Sequence, residues 1–117
     1  MYNKAFFVEF FTSVPPEMWN SGNVYDEHTG TSCAIGLLGN RQQLDVRIAE
    51  PAIAVARLNK LFRDNDIFHK EYGNAEQAGW NIAEVNNGNH PQFQQAHPKD
   101  RILAALEFCK DSWPVTY

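Results

Sequence analysis

Four phenylalanines within six residues, Phe6, Phe7, Phe10 and Phe11, constrain this chain more than any other feature. With Val14 they recur at spacings of three and four, the period of one face of an α-helix. A helix over residues 3–14 with a strongly aromatic stripe is therefore predicted. The stripe demands a core, and its density also offers part of it to a partner or a second copy of the chain. Pro15 and Pro16 close the run, because a residue before proline is driven out of the helical region, so the helix stops near Ser13. Glu9 interrupts the apolar residues and a single lysine precedes them, which does not fit a secretory leader, and the N-terminus reads as mature.

A core of the required size is within reach. The 117 residues are the usual length of one domain, so residues 1–117 are expected to form a single globular unit. Hydrophobic residues make up 44% and charged residues 21%, with a net charge of −4, which excludes a disordered chain. The acidic balance weighs against a nucleic-acid binder. No apolar run is long enough to span a bilayer, so no membrane is expected. Cys33 and Cys109 lie far apart and form no Cys-x-x-Cys pair, which reads as two reduced thiols in the cytoplasm.

Further helices follow from local signals. Pro15-Pro16-Glu17-Met18-Trp19 suits a short second helix with proline in its first turn. Residues 20–32 read as loop, with Thr31 or Ser32 as a cap for an apolar helix from Cys33 to Leu38 that Gly39-Asn40 ends. A clearer helix starts near Pro51 and ends in Asp64-Asn65-Asp66, with Ala52, Val55, Ala56, Leu58, Leu61 and Phe62 on its apolar side. Before it, Leu44 to Ile48 alternates apolar and polar, as a short strand would, but no partner strand is evident nearby, which weighs against one. Residues 75–86 fit a short helix, and Asn86-Asn87-Gly88-Asn89-His90-Pro91 is a turn by composition. The last helix is expected from Pro98 to Asp111, burying Ile102, Leu106 and Cys109. Trp19 and Trp80 are expected to pin the loops to the core. The fold class is mainly α: a compact orthogonal bundle of four to five helices with long loops and room for one short strand pair.

Residues able to do chemistry are few. Cys33 stands at the start of a helix, where backbone N–H groups and the helix dipole favour a thiolate. A cysteine hydrolase would place a histidine beside it, and His90 and His97 are the better placed of His28, His69, His90 and His97. Against this, the apolar run Ala34, Ile35, Leu37 and Leu38 argues that Cys33 is a buried structural residue, with Gly36 allowing a close approach. All four histidines fall in segments that read as solvated loops. Asp26, Glu27 and His28 are candidate binding residues, but adjacent ligands rarely close a metal site, so no metal is expected. Asn86 and Asn87 are candidate binding residues in a turn that lacks the register of a calcium loop. No phosphate loop or nucleophile elbow is present, and no cofactor is expected.

Several segments together carry a resemblance. They are Pro16-Glu17-x-Trp19, Asp26-Glu27-x-Thr29-Gly30-x-x-Cys33-Ala34-x-Gly36, Ile82-Ala83-Glu84-Val85-Asn86-Asn87-Gly88, and Phe93-Gln94-Gln95-x-x-Pro98-Lys99-x-Arg101-Ile102-Leu103-Ala104-Ala105-Leu106. Over most of its length the chain resembles a family of small uncharacterised phage and bacterial proteins. In that family a Trp, a Gly-x-x-Cys-x-x-Gly helix start and a later Asn-Asp pair recur. Asn87 stands where the family more often has Asp, which weakens a carboxylate role there. The resemblance implies a cytoplasmic accessory protein of phage or mobile-element type and carries over no catalytic residue. The expected function is therefore non-enzymatic: binding a protein partner, or itself, through an apolar patch. The alternative is a small hydrolase with Cys33 as nucleophile and His90 or His97 as base.

Overall fold

Each helix has a local reason to start and to stop. The structure, a computed structural model, describes residues 2–42, 44–45, 47–67 and 80–110. The expectations for His69, for the side chain of Trp80 and for a helix start near residue 75 lie outside what it describes. Helix α1 spans Lys4–Ser13, and the Asn3 side chain caps it by accepting from the Phe6 N–H at 2.9 Å. It ends where Val14 turns extended ahead of Pro15. The expected second helix is a single 3-10 turn, Pro16–Met18. Helix α2 is Ala34–Leu38, α3 is Pro51–Asp64, α4 is Trp80–Asn86 and α5 is Pro98–Phe108. The fold is mainly α, with five α-helices among the described residues.

One face and one boundary differ from expectation. On α3 the buried side chains are Ala54, Leu58, Asn59, Leu61 and Phe62, while Ala52 and Ala56 are exposed. The stripe runs through 54, 58 and 61, and positions two residues away point to the far side of the helix. Helix α5 stops at Phe108 rather than Asp111 because Asn65, the C-cap of α3, captures the chain beyond it. The Asn65 amide accepts from the Lys110 N–H at 2.9 Å and donates to the Lys110 carbonyl at 3.2 Å, bonds that compete with another helical turn. Ile102, Leu106 and Cys109 are nonetheless buried. At 44–48 the described residues form no strand. The Asn40 side chain bonds both the N–H and the C=O of Ile48, at 2.8 and 2.7 Å, and so takes the place of a partner strand. Extended pairing among the described residues is confined to two isolated bridges, Trp19 with Ser32 and Asp26 with Thr31.

All five helices feed one cluster of buried side chains, to which Phe7, Phe10, Phe11, Trp19, Leu58, Phe62, Ile82 and Leu106 contribute. The rings of Phe11 and Trp19 lie 5.3 Å apart, so the residue after the 3-10 turn is pinned to α1. Helices α1 and α5 pack antiparallel. Lys4, at the start of α1, donates to the Cys109 carbonyl at the end of α5, at 2.9 Å. Lys99, in the first turn of α5, donates to the carbonyls of Thr12 and Val14 at 3.0 and 2.8 Å. No helix among the described residues is long and apolar enough to cross a membrane.

Candidate functional site

Asn86, the last residue of α4, is fully buried and joins four parts of the chain. Its Oδ1 accepts from the Ala34 N–H at 3.0 Å, capping α2 from another helix. Its Nδ2 donates to the Asn20 carbonyl and to Asn87 Oδ1, each at 2.9 Å. Its own carbonyl accepts two bonds from Arg101 of α5, from Nε at 3.0 Å and Nη2 at 2.7 Å. Arg101 also donates to the Gln95 carbonyl and to Ser21 Oγ, both at 2.7 Å. Its acceptors are thus neutral, and burial holds the guanidinium below its usual pKa. Gly88 fits here because its φ is +78° and because a Cβ would sit 3.4 Å from the Arg101 Cζ. A side chain there would press on the guanidinium.

The sequence-predicted site residues distribute around this hub. Cys33 is the N-cap of α2 and only 4% exposed. Neither Thr31 nor Ser32 caps α2; the first helical N–H goes to Asn86 instead. Gly36 supplies the close approach expected of it: a Cβ would fall 1.8 Å from the Val24 carbonyl oxygen, so the loop runs directly over α2. His90 is not on a solvated loop but 6% exposed, with its ring 5.0 Å from that of Phe93. Apolar packing of Phe93 closes the turn over the imidazole. His90 Nδ1 accepts from the Gln92 N–H and His97 Nδ1 from the Lys99 N–H, each at 3.1 Å. A neutral imidazole that accepts at Nδ1 carries its proton at Nε2. Both rings therefore use their acceptor lone pair on the backbone, and His97 serves as the N-cap of α5. Asp26 Oδ1 accepts from the His28 N–H at 2.9 Å and so shapes a turn, with Glu27 and His28 exposed beside it. Among the described residues no group of three or more His, Cys, Asp or Glu is placed to hold a metal ion. Asn87 is half-buried and supports Asn86.

A different surface has the shape of a binding site. The outward side of α1 borders three open hollows. The largest, about 670 Å³, is lined by Lys4, Ala5, Val8, Glu9, Thr12 and Glu107 of α5. A second, about 160 Å³, lies between Phe6, Glu9, Phe10 and Ser13. A third, about 320 Å³, continues past the end of the helix along Phe10, Val14, Met18, Leu44 and Asp45. Shared residues make them one band: Ser13 lines all three, Glu9 two and Phe10 two. The walls are mostly apolar, as a surface for another molecule requires.

Sequence spacing shows the aromatic stripe but not the second apolar side of the same helix, because Ala5, Val8 and Thr12 are small and interrupted by Glu9. It does not show Arg101 as a hub residue either, since its partners come from residues 15 to 80 positions away and from a residue six positions before it. Comparison with known proteins finds no matching family model, no matching curated protein and no matching solved structure.

Proposed function

We propose that this protein acts by binding another protein rather than by catalysis, and that the outward face of α1 is its docking surface. The observation that carries this reading is the band of apolar hollows along a helix whose other side is already committed to the core. A helix that serves packing alone turns polar residues outward; α1 turns out Glu9, Thr12 and Ser13 but sets the exposed Ala5 and the half-buried Val8 among them. The residues of the alternative reading have structural duties: Cys33 is enclosed, and both imidazoles hold backbone N–H groups. The resemblance of the chain to small phage and bacterial proteins and the burial of both its cysteines favour a cytoplasmic accessory role of phage or mobile-element type.

The test starts with a photo-crosslinker at Ala5, which is exposed. The partner it captures is purified and titrated against the wild type and Ala5→Arg. Ala5→Arg is expected to bind at least tenfold more weakly while keeping the helical circular-dichroism spectrum of the wild type. Equal binding by both would remove α1 from the interface. Labelling of Cys33 by iodoacetamide at neutral pH faster than a free thiol, and lost in His90→Ala or His97→Ala, would replace the binding reading with the hydrolase.

A further inference from the structure

Resting on the binding reading, we infer that the occupant of the α1 face is an amphipathic helix of a partner protein whose apolar side is flanked by Lys or Arg. The charges around the band point to it. Three carboxylates border the hollows: Glu9 at the middle of α1, Glu107 on α5 and Asp45 beyond the end of α1. All three are exposed. Two lysines stand at its ends, and both ammoniums are already held by carbonyls: Lys4 by that of Cys109, and Lys99 by those of Thr12 and Val14. The rim is therefore acidic around an apolar floor, and a complementary surface is apolar at its centre and basic at its edges. A second copy of this chain is the wrong partner. A two-fold interface pairs the patch with its own copy, so an acidic rim would meet an acidic rim, between chains that each carry a net charge of −4.

The shape favours a helix. Ten residues of α1 give a ridge about 15 Å long. The largest hollow runs along α1 to Glu107 of α5 and is open to solvent. An amphipathic helix laid along it would anchor through residues at i, i+3 or i+4, and i+7. Occupants with Leu or Phe at those positions and Lys or Arg beside them would place cations opposite Glu9 and Glu107.

The experiment uses the full chain and three labelled 14-residue peptides read by fluorescence anisotropy: a Leu/Lys amphipathic helix, the same helix with Glu for Lys, and a scrambled Leu/Lys sequence. The Leu/Lys helix is expected to bind at least tenfold more tightly than either of the others and to weaken as salt is raised. Glu9→Lys and Glu107→Lys should each weaken it several-fold. Glu27→Lys, the same change in net charge on the loop over α2, should leave it within twofold. Equal weakening by Glu27→Lys would reduce the effect to overall charge and overturn the inference. Equal binding of the Leu/Glu helix, abolished by Ala5→Arg, would also overturn it while leaving the α1 docking surface standing. Failure of every peptide to bind would overturn it too. Sedimentation then separates two cases: a dimer lost in Ala5→Arg makes a second copy the occupant, and a monomer leaves the docking surface to be decided by the Ala5→Arg titration of the crosslinked partner.

Discussion

Asn86 shows how one short side chain can hold a loop, a helix start and a turn together. It uses both polar atoms of its amide and its carbonyl, all buried, so no smaller residue can replace it. Asn86→Ala removes the α2 cap and leaves the Asn20 carbonyl unbonded. The loss should be roughly 2–4 kcal/mol, a cap plus a buried unsatisfied group. Chemical denaturation measures this, and Asn87→Ala, which removes only an acceptor for Asn86, should cost clearly less. Gly36 makes the complementary point through absence. The Val24 carbonyl occupies the place of its Cβ, so Gly36→Ala must push the loop off α2 and should cost at least about 1–3 kcal/mol. Gly39→Ala is the control, since its Cβ would meet nothing closer than 3.2 Å, and its melting temperature should move far less.

At the level of the element, α1 and α5 were the most legible parts of the chain, for different reasons. The aromatic period and the prolines gave α1 its face and its end, and both follow from local sterics. The apolar spacing gave α5 its buried side, and Leu106→Ala should cost about 2–5 kcal/mol in thermal or chemical denaturation. Its end was not legible, because Asn65, 45 positions away, captures Lys110. The strand-like alternation at Leu44 to Ile48 has no partner strand nearby in the sequence, and the Asn40 side chain satisfies Ile48 instead. In the candidate site the sequence marked Asn86, Asn87, Cys33 and His90 as worth attention. The apolar run after Cys33 marked that residue as structural, but nothing local did so for Asn86, Asn87 and His90, whose burial and hydrogen-bond partners depend on distant residues. The sequence offered part of the aromatic helix to a partner, but the rim of carboxylates comes from three separate segments and has no periodic signal. The C-terminus of α1 is capped from α5 by Lys99, a cation held by the carbonyls of Thr12 and Val14. Lys99→Met should lower stability by about 1 kcal/mol, read as a shift in the denaturant midpoint with little change in slope.

Across the whole molecule, the closure of α1 on α5 joins residues 85 positions apart. Contacts that span so much chain form only after a long loop has been closed, whereas α4 and α5 are near neighbours in sequence. Lys99→Met should therefore speed unfolding and leave the refolding rate nearly unchanged, which a stopped-flow chevron would resolve. A refolding rate that falls in proportion to the stability lost would place the α1–α5 contact in the transition state instead. The same long span matters while the chain is being made. During synthesis at about 5–20 residues per second, roughly 4–17 seconds separate the appearance of α1 from that of the lysine that ties it down. Throughout that interval the four-phenylalanine stripe lacks α5, leaving the nascent chain a natural client for a chaperone at the ribosome exit.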